Sequence, residues 1–167
     1  LDTYPLIADQ TNATLGSEEV SCGNFECANP DGVWNRGAGW GISAGTATYD
    51  GSGGTQPITQ NITNIQLGKL CKLTIDVLAN QGGGANTIFF GGTAVNSSHL
   101  DVGSYTFYDY FTSNTNLYIY GRSGEVFQID NVSVKQVQGN PAYMTNQISS
   151  DIENGSPYAN IVQNNDF

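Results

Sequence analysis

Alternation between apolar and polar positions organises this chain, and it is most informative in the stretch GEVFQIDNVSVKQV that begins at Gly124. One extra residue at Asp130 and Asn131, a β-bulge, would bring two out-of-phase apolar pairs onto one side of a single strand. The alternative is a strand that ends at a turn and restarts, but neither Gly nor Pro interrupts the run, so the bulge is favoured. The two pairs are Phe127 with Ile129, and Val132 with Val134.

Short alternating runs separated by Gly-rich turns predict eight or so strands in this chain. A first short strand is expected over 18–25, and 40–49 is expected to form two strands. Residues 70–78 alternate regularly and predict a central strand. Trp40 and Phe25 are assigned to the core or its rim. Because no helical period separates the runs, an all-β antiparallel sandwich or jelly roll is predicted.

Two predicted strands carry aromatic residues on what we expect to be an outer face. Tyr108 and Tyr110 share one parity of the first strand, and Tyr118, Tyr120 and Arg122 share the outer parity of the next. Side by side, they would form an open tyrosine patch suited to the apolar face of a sugar ring, with Arg available to its hydroxyl groups. Cross-strand aromatic pairing and a protein interface are the alternatives.

Length and charge narrow the class of protein. The 167 residues suffice for one domain of about 120 residues with flanking segments. A net charge of −10 with only five Lys and Arg argues against nucleic acid as a partner, because phosphate binding needs clustered cations. No stretch approaches the ~20 consecutive apolar residues of a membrane span. Charged residues are only 12% of the chain, which favours an extracellular or virion protein with an uncharged polar surface.

The cysteines and the single histidine give few chemical leads. A disulfide between Cys22 and Cys27 requires a turn over the intervening residues, and the sequence leaves this open, whereas Cys71 lies in a strand-like run and is expected to be a buried thiol. His99 and Asp101 lie close together in a turn-like segment without forming a recognisable triad. We assign His99 to a surface loop, and catalysis is unsupported.

The motif GW-x-IS-x-G-x-A-x-YDGSGG at 39–54, followed by IDNVSVKQV from Ile129, resembles the carbohydrate-binding-module-like jelly-roll domains of bacteriophage structural and tail proteins. The resemblance covers roughly 19–138. It implies a jelly-roll sandwich and a non-enzymatic role on a virion surface. In glycan-binding sandwiches of this type a structural calcium ion often ties the first strand to the last.

By that resemblance, the residues matching the calcium ligands are Asn24, Glu26 and Asp130. Carboxylate and amide oxygens gathered by loops are what Ca²⁺ prefers. The alternative is that Glu26 is solvated and that Asp130 caps a turn through its own backbone.

The segments outside the module, which is predicted over 18–138, are polar and irregular. Residues 1–17 are expected to form an N-terminal arm and 139–159 a linker. NIVQNNDF at 160–167 has a pattern similar to that of EEVSCGNF at 18–25, so it is expected to begin a second, truncated module.

The resulting hypothesis is a phage tail, fibre or capsid-decoration module for assembly and attachment, located on the virion surface. Its expected partners are other virion subunits, in a homo-oligomer or as tandem modules, and host-surface polysaccharide. The alternative is an extracellular, glycan-binding accessory module of a secreted polysaccharide-degrading enzyme. A tyrosine patch with modest affinity would serve either role through many copies.

Overall fold

The computed structural model describes residues 14–138, which form eleven β-strands and one short 3-10 turn at Pro30–Gly32. No helix among these residues has the length and apolar character to cross a membrane. The strands are β1 (Leu15–Glu18), β2 (Asn35–Arg36), β3 (Trp40–Ser43), β4 (Thr46–Tyr49), β5 (Gln56–Asn61), β6 (Leu70–Gln81), β7 (Ile88–Phe90), β8 (Thr93–Asn96), β9 (Gly103–Tyr110), β10 (Asn116–Gly121) and β11 (Val126–Val137).

The strands form two antiparallel sheets that close over one interior. Sheet A has the order β3-β4-β11-β6-β9, with β1 also paired to β11, and sheet B has the order β2-β5-β10-β7-β8. Buried residues from both sheets belong to one hydrophobic cluster, which includes Ile75 and Val134 of sheet A and Ile58 and Ile119 of sheet B. The all-β sandwich prediction is therefore confirmed. The jelly-roll connectivity stays a prediction.

The bulge in β11 is present where the sequence predicts it. Asp130 pairs with Asp76 and Ser133 pairs with Thr74. Between these two pairs β11 advances by three residues and β6 by only two. Asn131 takes the extra position with a φ of 49°. All four apolar residues of the two pairs are consequently buried in the shared core: Phe127, Ile129, Val132 and Val134.

The N-terminal strand differs from the prediction. β1 ends at Glu18, and residues 20–25 form turns instead of a strand. Residues 15–17, for which the sequence predicts an arm, therefore belong to sheet A, where Leu15 pairs with Val137. The very short β2 and β8 were not predicted.

A disulfide between Cys22 and Cys27 closes the turn that follows β1, which settles the question that the sequence left open. Val132 of β11 donates its amide hydrogen to the Gly23 carbonyl at 2.9 Å, and Trp34 Nε1 donates to the Cys22 carbonyl at 3.0 Å. The cross-linked turn is thus held against both the bulge and the core.

The side chains assigned to the core are buried. Trp40 and Phe25 are only 5% and 3% exposed. Cys71 is fully buried as a free thiol, and desolvation, helped by the nearby Glu19 carboxylate, raises its pKa to about 12. This thiol is therefore protonated and unreactive in the folded protein at neutral pH.

Candidate functional site

An aromatic surface lies on the outer face of sheet B. In β10, Leu117 and Ile119 are fully buried. Because side chains alternate along a strand, Tyr118 and Tyr120 point outward. In β7, the neighbours of Phe89 are likewise fully buried. Phe89 pairs directly with Tyr118, so their side chains share the outer face. We call Phe89, Tyr118 and Tyr120 the aromatic face.

The ring of Tyr120 pairs with both of the other rings, and none of the three belongs to the core. The ring centroids of Tyr118 and Tyr120 are 6.3 Å apart with planes tilted by 22°, and the Phe89 ring meets Tyr120 edge-on at 5.7 Å. Asn116 Nδ2 donates to the Tyr118 hydroxyl at 3.1 Å. Because Asn116 lies two residues earlier on the same face, this bond draws the Tyr118 ring along the strand. All three aromatic residues are half-buried, which leaves apolar area open to a ligand.

Uncharged polar groups border the aromatic face. Register pairs join Asn35 to Thr59, Thr59 to Tyr118 and Tyr118 to Phe89, so these four residues form one row across four strands. At the usual spacing of neighbouring strands the row spans about 14 Å. A second row follows, in which Asn61 lies opposite Asn116. Amides and hydroxyl groups thus surround the rings without any carboxylate among them.

An open groove of about 610 Å³ adjoins the row at its β2 end. It is lined by residues 31–40, which include Asn35 of the row. Arg36 forms an ion pair with Asp31 at 2.9 Å and also donates to the Trp40 carbonyl at 3.4 Å, so its guanidinium is held in place beside the groove. The aromatic face offers flat apolar contact, and the groove adds the Arg36–Asp31 ion pair as a hydrogen-bonding partner for a ligand.

A close approach of the two sheets fixes β10 from beneath. Gly121 faces the Tyr49 ring of sheet A, and a Cβ atom at this position would overlap the ring. Tyr49 is fully buried, and its hydroxyl donates to the Gly54 carbonyl. Glycine is therefore required at the end of the strand that carries the two tyrosines.

Arg122 lies just beyond β10 and is only partly available to a ligand. Its Nε donates to the Ala85 carbonyl, which ties the side chain to the loop before β7. Glu125 holds the same loop by accepting from the Gly84 amide at 2.6 Å. Arg122 consequently positions the loop that leads into Phe89.

The expected joining of four tyrosines into one patch does not occur. Tyr108 and Tyr110 lie on β9, which pairs with β6 at the edge of sheet A, whereas Tyr118 and Tyr120 lie in sheet B. β9 and β10 are neighbours along the chain, but the connection between them crosses from one sheet to the other. The two tyrosine pairs therefore face opposite sides of the sandwich.

The predicted calcium ligands are engaged in other contacts. Asn24 Nδ2 donates to the Glu26 carboxylate at 3.2 Å, and Asn24 Oδ1 accepts from the Glu26 amide at 3.3 Å. Asp130 accepts from the amide of Asn131 at 2.6 Å. Within residues 14–138, no group of three or more His, Cys, Asp or Glu could hold a metal ion. This arrangement does not fit a calcium ligand set, and the calcium site stays a prediction.

His99 lies in the loop before β9, as expected. Its Nδ1 lies 3.0 Å from the Gly84 carbonyl, and its Nε2 lies 3.5 Å from Asp101. Asn80 Nδ2 lies 3.3 Å from this Nδ1 and donates to Oδ1 of the buried Asn86 at 2.6 Å. These contacts fasten the loop over the core.

Comparison with known proteins gives a limited result. No protein-family model matches the chain, and no curated protein matches it. Solved structures that match include a family 29 carbohydrate-binding module from Piromyces equi, with 10% sequence identity and a TM-score of 0.38. That match covers 84% of this chain and 95% of the module. A TM-score this low carries no conclusion about function.

Proposed function

We propose that the protein is a non-catalytic glycan-binding module whose site is the aromatic face of sheet B with the adjoining groove at residues 31–40. The observation that carries the proposal is the row of Asn35, Thr59, Tyr118 and Phe89 across four strands. A pyranose has an apolar face that packs on aromatic rings and a rim of hydroxyl groups that bond to amides and hydroxyls. The row supplies both kinds of contact.

The chemistry of the site favours an uncharged saccharide. No carboxylate or cation lies in the row itself, and Arg36 and Asp31 of the adjoining groove neutralise each other in an ion pair. Regular strands hold the rings, so little side-chain ordering is needed when a ligand binds. A shallow, open surface of this kind suits an extended glycan chain better than a small enclosed molecule.

The proposed setting is attachment at a surface, with a phage virion as the first candidate and a secreted polysaccharide-degrading enzyme as the second. Few contacts with each sugar imply modest affinity at one site, and repeated copies would raise the overall affinity in either setting. Purification of the native assembly distinguishes the two, because virion subunits would accompany the chain in the first case and a catalytic domain in the second.

A glycan array tests the binding proposal. We expect the wild-type chain to bind at least one neutral glycan. Tyr118→Ala and Tyr120→Ala should each weaken that binding by about tenfold or more, if a sugar packed on the ring contributes about as much as the ~1–3 kcal/mol of a base stacked on an aromatic side chain. Tyr108→Ala on the opposite sheet is the matched control and should retain binding. If no neutral glycan binds, or if the control loses binding equally, the proposal is wrong.

A further inference from the structure

Two cations lie side by side on the outer face of sheet A. Lys72 of β6 and Lys135 of β11 are directly opposite each other in the register, although the chain has only five Lys and Arg and a net charge of −10. Like charges in opposite positions of neighbouring strands destabilise a sheet. Among residues 14–138, neither lysine forms an ion pair. An anion bound beside both lysines would reduce the repulsion between them.

Both lysines line one small cavity. Its volume is about 110 Å³, and it is lined by Lys72, Lys135, Thr74, Ser133 and Leu15. Two cations and the Thr74 hydroxyl thus line a space about the size of one oxyanion, with Leu15 of β1 as the apolar wall, while the Ser133 hydroxyl donates to Glu18. Charge-assisted hydrogen bonds from lysine to an oxyanion are among the stronger ones available to a protein.

The acidic groups nearby are already satisfied. Glu18 pairs with Lys135 in the register, but its carboxylate accepts from the Ser133 hydroxyl and from the amides of Val20 and Val134, the last at 2.9 Å. Asp76 accepts from Ser104 and Asn131. Neither carboxylate occupies the cavity between the lysines.

A larger polar groove of about 420 Å³ adjoins the cavity, and Glu18 is among the residues that line it. The two share Thr74 and Ser133, and the groove continues past Asn24 and Asn131 at the bulge. On the other side of Lys72, its register partner Tyr108 adds a half-buried aromatic ring. The neighbourhood of the cavity therefore offers amides, hydroxyl groups and one aromatic ring to the remainder of a ligand.

We propose that this face is a second binding site, specific for an acidic saccharide whose carboxylate or sulfate group enters the cavity between Lys72 and Lys135. The uncharged part of the saccharide lies along the groove toward Asn24 and Asn131. This site is independent of the aromatic face, because it lies on the opposite sheet. At this second site Tyr108, the register partner of Lys72, would contact the saccharide without any contribution from Tyr118.

The test uses the full chain and two probes, a trisaccharide of galacturonic acid and a sulfated disaccharide, each with its uncharged counterpart. Calorimetric titration is expected to show binding of at least one acidic probe and at least about tenfold weaker binding of its uncharged counterpart. Lys72→Gln and Lys135→Gln should each weaken binding of the acidic probe by about tenfold, the loss expected for one charge-assisted hydrogen bond.

Lys69→Gln is the matched control, since Lys69 precedes the same strand but does not line the cavity. It should keep wild-type affinity, and Tyr118→Ala should do so too. Equal affinity for charged and uncharged probes, equal losses in the control and the cavity variants, or no binding of either acidic probe would overturn the proposal. A loss on Tyr118→Ala alone would place the acidic saccharide on the aromatic face and would also overturn it.

Discussion

Deleting Asn131 removes the bulge from β11 and puts the account of the fold to a quantitative test. One half of the strand must then slip by one residue, which turns one apolar pair toward solvent. If the half that precedes the bulge keeps its register, Val132 and Val134, now 3% and 0% exposed, become exposed. At about 1.5–3 kcal/mol for each buried aliphatic side chain, the loss is about 3–6 kcal/mol.

A further contribution comes from the cross-linked turn. The hydrogen bond from Val132 to the Gly23 carbonyl would be lost with the register, at a cost of about 0.5–1.5 kcal/mol. The sum is a large share of the ~5–15 kcal/mol that stabilises a typical domain. We therefore expect the deletion variant to be unfolded or close to unfolding in water at 25 °C.

Asn131→Gly is the matched control for this deletion. Glycine keeps the residue count and accepts the φ of 49° more readily than asparagine does. It loses the hydrogen bond from Asn131 Nδ2 to Asp76, which is 2.9 Å long. These effects oppose each other, so the free energy of unfolding should change by less than about 1 kcal/mol.

Equilibrium unfolding in urea, followed by the fluorescence of Trp34 and Trp40, measures both variants. Both tryptophans are buried, so their emission reports the loss of the core. A deletion variant whose unfolding midpoint and slope match those of the wild type would refute this explanation of the bulge. Both apolar pairs would then be buried on one side of β11 without the extra residue.

Three further predictions concern stability and reactivity. Cys22→Ser should lower the free energy of unfolding by about 2 kcal/mol, since the bond to Cys27 closes a loop of only six residues. Thermal unfolding measures this, and an unchanged midpoint temperature would contradict it. Cys71 should react with a thiol reagent at pH 8 only after denaturant is added, because its pKa of about 12 leaves little thiolate; rapid labelling of the native chain would be the contrary result. Gly121→Ala should lower the free energy of unfolding by about 1–3 kcal/mol, because the new methyl group overlaps the Tyr49 ring. Gly83→Ala, where nothing lies within 4 Å, should change it by less than about 0.5 kcal/mol. Equal effects in urea unfolding would show that the two sheets do not approach each other at Gly121.

Local alternation made much of the fold predictable. In β6, β10 and β11 the alternation of neighbouring residues alone predicts which side chains face the core. In β11 the two apolar pairs are out of phase, and they can be buried on one side only if a bulge separates them. The first strand was placed three residues too late. After Glu18 the chain leaves the sheet, and both backbone groups of Ser21 bond to the Gln60 side chain, a contact that alternation does not report.

The candidate site was less predictable because it depends on which strands pair. Tyr118 and Tyr120 were identified from their parity, but Tyr108 and Tyr110 were placed beside them on the assumption that consecutive strands are neighbours, which holds for only about two-thirds of cases. Phe89 was missed as a site residue because IFF in β7 is a continuous apolar run, in which alternation is invisible. The pairing of Lys72 with Lys135 joins positions 63 residues apart, and only the register of β6 with β11 reveals it.

Mapping a bound neutral glycan by NMR tests the central claim, that the outer face of sheet B is the ligand-binding surface. In a titration of the ¹⁵N-labelled chain with the strongest neutral glycan found on the array, the largest amide shifts are expected at Thr59, Phe89, Tyr118 and their neighbours, with smaller shifts along 31–40. Shifts concentrated on Thr106, Tyr108 and the rest of sheet A would contradict the account, since those residues lie on the opposite side of the sandwich.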